Sequence, residues 1–310
     1  MHYRTALALT LVLSIFLTSL GLTVSAQAQT SAASTDSGYD HFLIYADADG
    51  DTICREATPL EGLELDKIRP QNLRQINHLD TNAMVTSQSD NAETHLTIIL
   101  LATQQLEQAP QAKAAFIRAA ASWEAVINSP ITIYLEADYG ATNFGQAWSE
   151  GVLGSTSSPS LSSVSYSTVR NNLINGANTP TKQAIYQALP AGSLPVNTGS
   201  GVATTVSVSA SIARAIGLLN PIAQQSEGKA RIGFNSNFSF DFDRSNGISG
   251  TDFESVAAHE IGHALGFTSR SGSTTATTMP AIWDLYRFRS GTTSATFSSA
   301  QRIMTIGGPT

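Results

Sequence analysis

The stretch VAAHEIGHALGFTSR, residues 256–270, places His259 and His263 four residues apart, with Glu260 directly after the first. On a helix, positions i and i+4 lie on one face a turn apart, so both imidazoles can donate to a single metal ion. Glu260 is rotated by about 100° from His259, which brings it near a metal-bound water without making it a ligand. Zinc in such a site lowers the pKa of its water to about 7 and polarises a carbonyl. Glu260 is then placed to accept the water's proton and pass it to a leaving amine. His259, His263 and Glu260 therefore predict one catalytic Zn2+ and hydrolytic chemistry. The competing reading is an ordinary helix carrying two satisfied histidines and a surface glutamate.

A catalytic zinc ordinarily takes three protein ligands, and the motif supplies two. The six histidines are His2, His41, His78, His95, His259 and His263, so none follows the motif. Asp284 is the only acidic residue after His263 and lies 21 residues downstream. Three roles stand open for it: a zinc ligand, an acceptor behind a histidine ligand, or a structural carboxylate paired with Arg287 or capping a helix. The single cysteine, Cys54, permits no intrachain disulfide and has no histidine near it in sequence. It is expected to be a buried structural thiol. Were the N-terminal region a prodomain, its thiolate could instead block the zinc, but CREATPLE reads as a structured strand-to-helix junction.

The motif needs a helix, and the flanking residues provide one. Thr251-Asp252-Phe253-Glu254 forms a capping box and Gly266 a C-terminal stop, predicting a helix over 252–265. Before it, RIGFNSNFSFDFD alternates Ile232, Phe234, Phe238, Phe240 and Phe242 with Gly, Asn, Ser and Asp, broken only at Ser236. This predicts a strand with one buried and one polar face, the polar face free to receive an extended substrate. Phe116, Ala120, Trp123 and Ile127 recur at helical spacing over 111–127, and Asn128-Ser129-Pro130 stops that helix. ITIYLEA and HLTIILLA read as strands, and so do SSVSYSTVR and VATTVSVS. Short helices are expected after Thr58-Pro59-Leu60-Glu61, after the Thr179 cap, and over SASIARAIGLL.

A chain of 310 residues with 42% hydrophobic and 13% charged residues can build a real core. Its formal charge of -7 argues against nucleic acid or an anionic membrane as partner. Arg4, the apolar run ALALTLVLSIFLTSLGLTV and Ala26-Gln27-Ala28 together read as a signal peptide over 1–28. The rival is an uncleaved anchor, but no positive charge flanks the run on its far side. The mature chain is expected outside the cell or in a periplasm. Residues 29–105 form an N-terminal region, either prodomain or extension of the core, and 106–310 the catalytic domain. Asp47, Asp49 and Asp51 raise calcium as a second ion, but Gly50 comes too early for a calcium loop and Thr58 stands where Glu should close it.

The stretch AAHEIGHALGF resembles zinc metallopeptidases of the metzincin and leishmanolysin-like type, especially bacterial secreted ones. FIRAAASWEAVINSPITI is similar to the family's backing helix and first strand, and RIGFNSNFSFDFD to its substrate-flanking edge strand. The likeness spans about residues 111–288 and is specific only at the motif. It implies an α+β fold: a mixed, twisted β-sheet with a backing helix and an active-site helix, and a peptide cleft along the sheet edge. The compact metzincin pattern requires a histidine at position 269, where this chain has Ser269. Leishmanolysin-like enzymes place their third histidine tens of residues later, before a methionine turn. This chain ends 47 residues after His263, in RIMTIGGPT. The third histidine is therefore expected beyond Thr310, with the C-terminal subdomain truncated and Met279 and Met304 as packing residues. The alternatives are a non-catalytic surface or adhesion module keeping the fold, and a zinc hydrolase of non-peptide amides or esters.

Overall fold

The computed structural model describes residues 37–46, 52–78, 95–197, 202–224, 226–270 and 279–287. The expected signal peptide, the Asp47–Asp51 calcium candidate and the C-terminal RIMTIGGPT lie outside these residues. In chain order, β1 (Ser37–Ala46) and β2 (Thr52–Glu56) lead to α1 (Pro59–Leu65) and β3 (Arg74–Gln75). Next come β4 (Thr97–Ala102), α2 (Gln104–Glu107), α3 (Pro110–Glu124) and β5 (Thr132–Gly140). The short β6 (Thr142–Asn143) and β7 (Gln146–Ala147) precede the long β8 (Val152–Ser165), α4 (Tyr166–Asn175) and α5 (Pro180–Gln187). Then follow β9 (Leu194–Asn197), β10 (Val202–Ala203), β11 (Thr205–Ser209) and α6 (Ala210–Ala215). The described part closes with β12 (Ala230–Asn235), β13 (Phe240–Asp241), β14 (Thr251–Asp252), α7 (Phe253–Ala264) and a 3-10 turn over Ile282–Arg287.

The architecture is α+β around one large mixed sheet, with the strand order β2-β1-β8-β12-β5-β4-β3 and β11 also paired to β8. β4, β5 and β12 run parallel to one another, while β8 is antiparallel to β12 and to β1. Parallel strands are covered on both faces and read as continuous apolar runs, which is why TIILLA forms β4 with five of its six residues buried. Helices α3 and α7 cover one face of the sheet. Phe116 of α3, Phe234 of β12 and Phe253 of α7 meet there, edge-on or tilted, with ring centroids 4.9–5.6 Å apart. A second core gathers Val164, Tyr166, Val169, Leu173, Val206 and Val208 around β8, α4 and β11.

The elements correct several expectations. β12 is an inner strand, paired to β5 on one side and β8 on the other, with all six residues buried. Its backbone is therefore already occupied and cannot receive a substrate, and the period-2 run breaks after Asn235. Its supposed polar face is covered as well: a Cβ on Gly233 would lie 2.6 Å from Asn143 Oδ1 and 3.2 Å from the Trp148 ring. That covering loop is fastened by Asp138, whose carboxylate accepts from Gln105 Nε2 and from the Phe144 backbone N–H. SSVSYSTVR is divided between the end of β8 and α4 rather than forming one strand. Residues 37–46 and 52–56 also belong to the main sheet, where β1 lies against β8 and β2 against β1.

Candidate metal centre

Helix α7 holds the motif, and its ends are chemically fixed. Its N-cap is Asp252, not Thr251: the Asp252 carboxylate accepts from Glu254 N, while Thr251 is taken into β14 opposite Phe240. Glu254 turns away from the expected capping box and pairs with Arg118 of α3 at 2.7 Å. At the other end Phe267 N donates to Gly262 O and Gly266 N to His263 O, the paired bonds of a Schellman stop. Gly266 sits at φ +90, where a side chain is strained. Gly262 has a different reason: a Cβ there would lie 3.2 Å from the Trp123 indole, whose Nε1 donates to Ala258 O. The small residue within HEIGH lets α3 and α7 approach.

His259 and His263 project from the same face of α7, with their Nε2 atoms 3.1 Å apart. Tetrahedral zinc with bonds of about 2.05 Å holds two nitrogens roughly 3.3 Å apart. The pair therefore fits one zinc ion. Burial holds the His259 imidazole below its ordinary pKa; burial and then the neighbouring His259 hold His263 down to about 4. Both rings are thus kept in the neutral, ligand-competent form.

Glu260 points inward beside them and has no solvent exposure. Thr156 of β8 donates to its Oε2 at 2.6 Å, while Oε1 has no hydrogen-bond partner. Burial pushes the carboxyl up to about 7, against the opposing pull of the Thr156 hydroxyl and the Cys54 thiol. Ser158, two residues along the same strand, donates to the His263 backbone carbonyl at 3.1 Å. β8 thus anchors the site helix at two points.

Two residues from the N-terminal strands complete the surroundings. The Phe42 ring stacks on the His263 imidazole, 4.0 Å between centroids and 3° from parallel. The Cys54 Sγ lies 3.5 Å from His263 Nε2. Cys54, His259, Glu260 and His263 each bring a potential ligand atom to within 4.8 Å of all the others. Burial, then the negative charge of Glu260, raises the Cys54 thiol pKa. No histidine stands near Cys54 along the chain, and the fold brings His263 beside it.

Asp284 is not part of this group. It is fully buried, and its carboxylate accepts from the Ser269 hydroxyl and from the Arg270 and Ala281 backbone N–H groups. It organises the chain that follows α7. Met279 Sδ accepts from the Ser163 backbone N–H at 3.3 Å. Sequence reasoning missed Thr156 and Phe42. Thr156 stands in a run of serines and threonines, and no spacing relation links either residue to the motif.

Comparison with family models, with curated proteins and with solved structures found no match.

Proposed function

We propose that the chain is a secreted zinc-dependent metalloendopeptidase of metzincin/leishmanolysin-like architecture, with His259 and His263 as metal ligands and Glu260 as general base. The observation that carries this reading is the convergence of two imidazoles, 3.1 Å apart, beside a fully buried carboxylate with one unpartnered oxygen. When bound, zinc supplies Lewis acidity toward a peptide carbonyl and lowers the pKa of a water to about 7. The protein supplies orientation and a proton site. Thr156 fixes Oε2 of Glu260, so Oε1 is the atom left to take and return a proton. A carboxyl raised to about 7 suits both directions of transfer near neutral pH.

Export is supported by the N-terminal apolar run ending at Ala26-Gln27-Ala28. Among the described residues, no helix is long and apolar enough to cross a membrane. The net charge of -7 gives no support to nucleic acid or anionic membrane as partners, and the protein or peptide substrate is proposed from the zinc-and-glutamate motif alone.

Glu260→Gln tests the reading. The variant should fold, bind zinc with unchanged stoichiometry, and lose cleavage of casein by about 100-fold or more. Cleavage at the wild-type rate removes Glu260 from the chemistry. A second reading, a non-catalytic surface module with the same fold, is favoured by one observation: Phe42 and Cys54 lie over the histidine pair. An inactive wild type that binds zinc normally supports that reading.

A further inference from the structure

We propose that Cys54 is the third protein ligand of the metal, carried to the histidine pair by the pairing of β2 with β1. The inference rests on the zinc reading of His259 and His263 and names what completes it.

The placement of Cys54 follows from strand pairing. β8 is bonded to β12 and β11 along one side, and β1 takes its other side from Ser37↔Leu161 to Tyr45↔Val152. Directly opposed residues in antiparallel strands point to the same face. Thr156, which holds Glu260, is opposite Phe42, and Phe42 therefore faces α7, where its ring lies on His263. Ile44 shares that face with Phe42, and Cys54 is opposite Ile44 in β2. Thr156, Phe42, Ile44 and Cys54 consequently form one patch over the histidines.

This patch is seated, not loosely applied. Ile44 is fully buried within the main core, against Gly154 of β8, where an added Cβ would lie 3.0 Å from the Ile44 Cδ1. The depth of that contact fixes β1, and the β1–β2 register fixes Cys54.

The donor geometry suits a metal. Tetrahedral zinc with Zn–S about 2.3 Å and Zn–N about 2.05 Å separates sulfur from nitrogen by roughly 3.6 Å. The observed separation is 3.5 Å to His263 Nε2. Two imidazoles and a thiolate are a ligand set that zinc favours, with a fourth position left over. An independent feature points to the same place: Glu260 Oε1 is fully buried, faces this cluster and has no hydrogen-bond partner. On ligation the sulfur–hydrogen bond breaks, a sulfur–metal bond forms, and the proton leaves to solvent.

The consequence concerns access. An extended peptide commonly adds as a strand to a free sheet edge, and the edge of β8 nearest the histidines is taken by β1. A peptide therefore reaches the metal at its fourth position and not by pairing with that edge of β8.

The test uses the full chain loaded with cobalt(II). Wild type should display an intense near-ultraviolet thiolate-to-cobalt absorption that is absent from Cys54→Ser and Cys54→Ala, with all three giving the same far-ultraviolet circular dichroism. Cobalt should also suppress the reaction of the wild-type thiol with a disulfide reagent. Loss of an outer partner of a ligand costs about 10–100-fold in affinity, so loss of Cys54 should exceed the upper end of that range. If His259→Ala and His263→Ala lose the metal while both Cys54 variants keep wild-type affinity and spectrum, this inference is overturned and the zinc reading stands. If the histidine variants bind cobalt as wild type does, or wild type binds none, both are overturned.

Discussion

Replacing Thr156 by valine removes one hydroxyl and nearly preserves the shape of the side chain. Thr156 and Glu260 both have no solvent exposure, and their 2.6 Å bond is the one oxygen-to-oxygen hydrogen bond made by the Glu260 carboxylate. Thr156→Val removes that bond from a carboxylate that has no solvent exposure. A hydrogen bond to a charged group contributes about 1.5–3 kcal/mol, and its loss from a buried carboxylate falls within that range. At about 2 kcal/mol, the melting temperature of the metal-free protein at pH 8 should drop by roughly 4–8 °C. The metal-loaded variant should retain its zinc, yet cleave peptides about 10–100-fold more slowly, because Glu260 is no longer aimed. A double-mutant cycle isolates the interaction. Glu260→Leu and Thr156→Val together leave no polar group stranded, so the pair should be more stable than the sum of the single losses by about 1–2 kcal/mol. Urea denaturation of the four proteins measures this. Additivity to within about 0.5 kcal/mol, with unchanged turnover in Thr156→Val, would refute the claim that Thr156 holds the base.

Three further outcomes are expected. Asp284→Ala should destabilise the fold by about 2–3 kcal/mol through the stranded Arg270 and Ala281 N–H groups, while zinc affinity by chelator competition stays within twofold; a large loss of zinc would return Asp284 to the ligand set. Gly262→Val should cost about 1–3 kcal/mol by overpacking against the Trp123 ring, 3.2 Å from the position its Cβ takes, and Trp123 fluorescence should shift; an unchanged urea midpoint would deny that α3 and α7 touch there. Ile44→Ala should cost about 2–5 kcal/mol in the same assay, because Ile44 is fully buried in the main core; a loss below about 0.5 kcal/mol, ordinary for surface sites, would mean that β1 is not seated on β8.

Local rules made much of this protein legible. Spacing within a helix sets angular phase, so the i, i+4 relation alone placed His259 and His263 on one face and turned Glu260 inward from it. The stop at Gly266 and the caps at Thr58 and Thr179 followed from turn chemistry confined to four or five residues. The apolar run of β4 and the period-2 alternation that opens β5 gave away two strands. The cap of α7 was misread by one residue because pairing with Phe240, eleven positions back and invisible in the spacing, draws Thr251 into β14.

The strand order was decided only in three dimensions. Alternation in RIGFNSNFSFDFD states that a strand has two unlike faces, but not which strands lie beside it. In the folded chain both neighbours of β12 are present, and the edge beside the site belongs to β8 and is filled by β1. The same limit hid Cys54, which reaches His263 across a sequence separation of 209 residues, and Thr156, whose hydroxyl resembles every other in its run until β8 is laid against α7. The sequence by itself determined the chemistry of two histidines and a glutamate, because one helical turn sufficed to assemble them. Tertiary structure alone decided what lies opposite that turn, because side chains from distant strands meet it only through the register of the whole sheet.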